Sequence, residues 1–281
     1  LDGTTPTSSY GIIYSGPITL TTSATIKAIA YKSGMIDSDV EQAIYNITIP
    51  YNPKIYIADF NNHRIIKIDD MSGNGWQSFG SYGSSDYHFQ YPGAVAVSND
   101  GKIYIADSDN NRIVKIDDMS GSGWVSFGSY GTGDGQFDTP AGITIGNDGK
   151  IYIADWGNNR IVRIDDMYGN GWTTFGSLGS GVNQFNGPYR VIMGNDNKLY
   201  IADSYNSRIV RIDDMNGTNW IAFGSNGSGV NQFSYNTDIA LGNDGKIYIL
   251  DRDNYRLVRI DDMYGNGWIT LGTQGYGVNQ F

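Results

Sequence analysis

The sequence contains no cysteine, and Glu41 is the only glutamate among its 29 acids. Without thiols there is no disulfide framework, no thiolate metal site and no cysteine nucleophile. Histidine is scarce too, with only His63 and His88, which leaves little for a metal site or a nucleophile–base pair built on imidazole. Bases number 19, giving a net charge of −10, and no run of Lys or Arg forms a basic patch. Such a chain gains nothing by displacing counterions from phosphates, so nucleic acid is excluded as an expected partner. No apolar run has the length of a membrane-spanning helix, so no membrane insertion is expected in this segment. No leader peptide opens the chain either. Leu1-Asp2-Gly3-Thr4 reads as the middle of a hairpin, so the sequence is expected to be a piece of a longer protein.

Glycine (38) and tyrosine (21) are abundant, which suits short strands joined by tight turns. The stretch "KIYIADFNNHRIIKIDDM" begins at Lys54 and returns from Lys102, Lys150, Lys198 and Lys246, each 48 residues beyond the last. A fixed period of this length signals a propeller, a solenoid or an array. Within one unit, "GITIGNDG" alternates apolar residues and ends in a hairpin turn, Asn147-Asp148-Gly149. "KIYIAD", a four-residue turn, "RIVRIDD", the glycine turn "MYGNG" and "WTTFG" follow. That makes four short antiparallel strands per unit in a meander, with no helical period, as in a propeller blade.

The run "GQFDTPAGITIGNDGKIYIADWGNNRIVRI", Gly135 to Ile164, resembles an NHL repeat. The resemblance implies an all-β chain whose residues 51–281 form a β-propeller of five repeats. Such propellers commonly have six blades. "IPYNP" (49–53) stands where an innermost strand is expected, and "GVNQF" (277–281) opens a further repeat. At least one further blade is therefore expected beyond Phe281; a ring closed by five is the rival reading. Residues 1–50 resemble part of the chitobiase/β-hexosaminidase C-terminal type of module. It is carried by Asp2-Gly3-Thr4-Thr5-Pro6-Thr7, Tyr14-Ser15-Gly16-Pro17-Ile18 and Thr25-Ile26-Lys27-Ala28-Ile29-Ala30. That resemblance implies a small, non-catalytic immunoglobulin-like β-sandwich whose first strands lie upstream of Leu1.

Acid, amide and arginine recur at fixed spacing: Asp59/Asn62/Arg64, Asp107/Asn110/Arg112, Asp155/Asn158/Arg160, Asp203/Asn206/Arg208 and Asp251/Asn254/Arg256. A catalytic centre needs one set of groups converging on one substrate, whereas a five-fold set suits bracing of the turn between second and third strands. The acid pairs Asp69-Asp70, Asp117-Asp118, Asp165-Asp166, Asp213-Asp214 and Asp261-Asp262 precede glycine turns and could ligate calcium. Neighbouring strand residues point to opposite faces, however, so a turn cap is the expectation. Trp76, Trp124, Trp172, Trp220 and Trp268 are expected to pack between blades.

Binding is sought where the repeats differ. The meander puts the turn after strand two and the start of strand one on the same face, around the channel mouth. Both places vary in size, charge and aromaticity, giving Phe60, Trp156, Tyr189, Arg190, Tyr205, Asp238 and Arg252 as candidate binding residues; drift on unconstrained loops is the competing account. The expected function is binding or assembly, with a protein or glycan partner, no cofactor and no metal, and self-assembly possible. The expected location is extracellular or at the cell surface of a prokaryote. A metal-dependent lyase or hydrolase with site residues in further blades is the alternative; no nucleophile elbow or Ser-His pairing supports it here.

Overall fold

The computed structural model describes residues 5–7, 9, 24–30, 33–34, 36, 38–45 and 54–281, without the side chains of 24–26 and 41–45. Residues 1–53 and 54–281 form two separate compact units. In the first, Ala24–Ala28 pairs antiparallel with Glu41–Tyr45, from Ala24↔Tyr45 to Ala28↔Glu41. Ser38 closes the connection, its N–H donating to the Ala30 carbonyl and its hydroxyl accepting from the Ala30 N–H. Asp2–Thr4, Tyr14–Ile18 and the "IPYNP" segment lie outside the described residues.

The second unit is a β-propeller with five blades. The third blade runs Pro140–Ile145, Ile151–Asp155, Arg160–Ile164, Thr173–Phe175, four antiparallel strands in sequence order from the inside out. The second, fourth and fifth repeat this order. The first has three described strands, Ile55–Asp59, Arg64–Ile68 and Gln77–Phe79. Alternation of Ile/Val with Tyr, Lys or Arg along the second and third strands gives each sheet buried rows, and the Asn-Asp-Gly and Gly-Asn-Gly turns set the register.

The core lies between neighbouring blades. Ala154, Ile161 and Phe175 of the third blade share one cluster with Val191, Ile201, Val210 and Ile212 of the fourth. A Phe from each connection plugs the joint: Phe89, Phe137, Phe185 and Phe233 are fully buried. Their rings stand 5.4–5.6 Å from Trp124, Trp172, Trp220 and Trp268 of the blade that follows. On the other side the plug rests on a glycine; a methyl group on Gly176 would collide with Phe185. At the ends of the arc this joint is open, with Trp76 55% and Phe281 52% exposed.

Each inner strand carries a bulge at its start. Pro188 faces Asp203 and Arg190 faces Ala202, leaving Tyr189 as the extra residue; Ala141 and Thr237 hold the same place in their blades. A bulge re-aims the side chain it carries, and here all of them open onto the face that holds the turns after Asp155, Asp203 and Asp251.

Candidate functional site

The repeated acid, amide and arginine build a bracket rather than a reactive centre. In the third blade Asp155 Oδ2 accepts from Arg160 Nε at 2.8 Å and from Asn158 Nδ2 at 2.9 Å. Its Oδ1 accepts the Asp138 backbone N–H at 2.8 Å, 17 residues upstream. The remaining guanidinium nitrogens donate to the carbonyls of Thr132, Gly133 and Gln136 in the preceding connection. The guanidinium also lies over Trp172, 5.7 Å from the ring centre. Arg112, Arg208 and Arg256 make the same bonds to Asp107, Asp203 and Asp251. Both carboxylate oxygens of Asp155 and all three guanidinium nitrogens of Arg160 are engaged in holding the turn and the preceding connection.

Burial pushes the Asp107, Asp155 and Asp203 carboxyls up, while the amide, backbone and guanidinium donors pull each back. The more exposed Asp59 is held below the usual aspartate range, chiefly by its hydrogen bond from Arg64.

The acid pairs divide their work. Asp70 Oδ1 accepts the backbone N–H groups of Ser72 and Asn74, and its Oδ2 accepts from Asn74 Nδ2. Asp69 turns to the other side and pairs with Lys54 at 3.0 Å. Among the described residues no group of three His, Cys, Asp or Glu side chains could hold a metal ion. The two histidines are engaged as well. His88 Nδ1 lies 2.8 Å from the Asp86 carbonyl. His63 Nδ1 accepts the Tyr91 backbone N–H at 3.1 Å, where Asn111 and Asn159 accept from Thr139 and Gly187 in the next joints.

The variable positions behave differently. After each repeated Asp a short turn ends in a left-handed residue, with φ between 51° and 56° at His63, Asn111, Asn159, Ser207 and Tyr255. Opposite it, just before the next inner strand, a second left-handed column holds Tyr91, Thr139, Gly187 and Tyr235. Backbone bonds such as Tyr205 N–H to Asn186 O and Asp253 N–H to Ser234 O tie the two columns together. Side chains from both therefore meet on the mouth face.

On the third to fifth blades they meet as a run of rings. Trp156 and Tyr205 stand 5.9 Å apart, Tyr205 and Tyr235 5.1 Å, and the Arg252 guanidinium lies 5.2 Å from the centre of the Tyr235 ring. Gly187 makes room for the first pair: a Cβ there would strike the Tyr205 ring and come within 2.9 Å of Trp156 Nε1. Toward the channel, Arg190 Nε lies 3.1 Å from Asp238 Oδ1 across adjacent inner strands. The Nε–H does not point at the carboxylate and makes no hydrogen bond, so the contact is an ion pair only. Tyr189 sits among these charges, its hydroxyl pushed up by burial and adjusted by Arg252, Asp238 and Arg190. Burial raises Tyr235 to about 12, helped by the Tyr205 hydroxyl beside it; the Tyr235 phenol stays protonated and able to donate at neutral pH.

Six of the seven sequence-derived candidates thus fall in one neighbourhood: Trp156, Tyr189, Arg190, Tyr205, Asp238 and Arg252. Phe60 falls in another, 5.0 Å from Tyr91, whose ring in turn lies 4.5 Å from His63. Tyr235, Tyr91 and Gly187 were missed. Their signal was present, because the column two residues before each bulge also differs from repeat to repeat.

Comparison with known proteins places these features. Residues 89–116 and 137–164 match the NHL repeat, and residues 1–42 match the chitobiase/beta-hexosaminidase C-terminal domain. No curated protein matches the chain. Among solved structures, a streptogramin B lyase superposes with a TM-score of 0.58 at 19% identity, over 82% of this chain and 68% of that one. Selenomethionine-substituted virginiamycin B lyase from Staphylococcus aureus gives 0.54 at 20% identity, over 79% and 67%. A chain of a nidogen/laminin complex gives 0.60 at 14% identity, over 89% and 90%. At these identities the likeness is one of fold.

Proposed function

Since the propeller of this chain is built of NHL repeats and follows a chitobiase/β-hexosaminidase C-terminal-type module, we propose that it is a binding or assembly protein. Its mouth face would meet a protein or glycan partner outside the cell or at the cell surface. One observation carries this reading: residues that differ between repeats are collected on one face into a partly exposed cluster of Trp, Tyr and Arg. Those side-chain types are enriched at binding hot spots, the aromatic rings because they bury large areas at little entropic cost. The constant residues, by contrast, are consumed by the bracket. That a similar propeller comes from a nidogen/laminin complex is in keeping with a protein partner.

The double substitution Trp156→Ala with Arg190→Ala tests the face. It should lower affinity for a purified partner at least tenfold with the fold intact by circular dichroism. Unchanged affinity for every partner found would overturn the assignment.

A second reading, a propeller lyase or hydrolase, draws on the lyase structures of similar fold. At this mouth it would have Tyr189, Arg190 and Asp238 to work with. His63 and His88 are occupied in holding loops, and any metal ligands would have to come from elsewhere.

A further inference from the structure

The ring run on the mouth face has features that packing alone does not account for. Tyr235 holds a left-handed backbone, φ 53°, as Tyr91 and Thr139 do at 49° and 53°, at a position where the preceding joint uses Gly187, φ 63°. A side chain in that conformation costs on the order of 1 kcal/mol relative to glycine. The strain secures no place in the core: Tyr235 is partly buried between Tyr205, itself 51% exposed, and the Arg252 guanidinium. Strain kept outside the core points toward function.

The shape and charge of the run restrict what it can take. Two cavities of the propeller, about 600 and about 250 Å³, lie on the opposite face, among the Asp-Asp and Asn-Asp turns of neighbouring blades. The run itself is a shelf of tilted ring faces spaced 5.1–5.9 Å apart, which suits a ligand that lies flat and stacks rather than one that plugs a hole. Its charges are balanced locally, Arg190 against Asp238 at 3.1 Å and Arg252 against Asp253 at 4.0 Å. A phosphate- or sulfate-bearing ligand would have to break a pair and approach a chain of net charge −10.

Stacking without net charge describes a neutral pyranose chain. Its ring faces present C–H groups to aromatic faces, and its hydroxyls can both donate and accept. Asp238, with its side chain 52% exposed, offers an acceptor at the channel edge of the shelf. The Tyr205 and Tyr235 hydroxyls offer donors along it.

We propose that Trp156, Tyr205 and Tyr235 form a platform for an extended neutral oligosaccharide, with Arg252 closing one end and Asp238 and Arg190 reading its hydroxyls. This deepens the mouth-face reading and rests on it.

The test uses the whole chain and a panel of cellohexaose, chitohexaose, xylohexaose and mannohexaose, followed by tryptophan fluorescence and calorimetry, with heparin hexasaccharide and a proline-rich peptide alongside. At least one neutral hexasaccharide should bind, with longer oligomers favoured over the disaccharide. Tyr205→Ala and Tyr235→Ala should each weaken binding roughly tenfold. Tyr235→Gly is the sharper variant. It places there the residue found at the preceding joint, whose left-handed backbone glycine adopts without strain, so it should fold at least as well as the parent and still bind roughly tenfold more weakly. The proposal is overturned if no neutral hexasaccharide binds, if heparin or the peptide is preferred, or if Tyr235→Gly binds like the parent. If saccharides fail while Trp156→Ala with Arg190→Ala still abolishes binding of a purified protein partner, the mouth face stands and the saccharide platform falls. If that variant changes nothing either, both fall.

Discussion

Asp155 with Arg160 in the third blade and Asp59 with Arg64 in the first are the same pair at the same 2.8 Å. In the third blade the two side chains are 13% and 0% exposed for Arg and Asp; in the first they are 35% and 21%. Arg160 reaches three carbonyls of the preceding connection, whereas among the described residues Arg64 bonds only Asp59. A motif of identical chemistry is thus a desolvated clamp where a blade has neighbours on both sides and an ordinary partly exposed ion pair at the end of the arc. What the bracket is worth depends on the neighbour, as expected for an array stabilised through nearest-neighbour interfaces.

Single substitutions made at both places would break or sharpen that contrast. Arg160→Ala should cost about 5 kcal/mol, because it leaves a buried carboxylate and several carbonyls unpaired. Arg64→Ala should cost about 1 kcal/mol or less, given solvent screening. Equal shifts in the urea midpoint would refute the contrast. Phe185→Ala should cost about 4 kcal/mol by emptying a closed joint, while Phe281→Ala, half exposed, should cost less than about 1 kcal/mol; thermal melts of the two variants check this.

The carboxyls should also titrate in opposite directions. Asp59 is held low, so its contribution to stability is present above pH 3.8, the ordinary aspartate value, and is lost as pH falls through its folded pKa. Asp155 is pushed up, so the stability linked to its protonation is complete below pH 3.8 and is lost as pH rises through its folded pKa. Carboxyl-carbon titration by NMR should place Asp59 below the unfolded range and Asp155 above it. The smallest effect is expected at His63. His63→Asn, which restores the acceptor of the inner joints, should change stability by less than about 0.5 kcal/mol, and His63→Ala should lose about 1 kcal/mol by orphaning the Tyr91 N–H. A large loss in the Asn variant would mean the ring contacts of His63 matter more than its acceptor nitrogen.

The scaffold was legible because its determinants are local and repeated. Alternation in "KIYIAD" and "RIVRI", the Asn-Asp-Gly turn and the 48-residue spacing each specify a strand, a hairpin or a register. The Asp–Asn–Arg bracket was legible in part: its three members lie within six residues, but the carbonyls that Arg160 clamps lie 24 to 28 positions upstream. The mouth face followed from meander geometry. Grouping the variable residues by column did not reveal which of them touch, since members of one column sit on different blades. Phe60 shares a column with Trp156 yet packs on Tyr91. The left-handed backbone at Tyr91 and Tyr235 was signalled only by Gly187 at the equivalent position of another unit, since glycine and asparagine announce that conformation and tyrosine does not.

The two left-handed columns bear on how such a molecule changes over generations. Duplicating one 48-residue unit copies the joint, the bracket and the mouth positions together, so each new blade arrives already able to pack. Afterwards a single codon change at position 91, 139, 187 or 235 can exchange a methyl-free turn for an aromatic ring. The inter-blade plug is left untouched, although at 187 the new side chain would also have to clear Tyr205 and Trp156. Tyr235 and Gly187 show the two alternatives at equivalent positions of adjacent units.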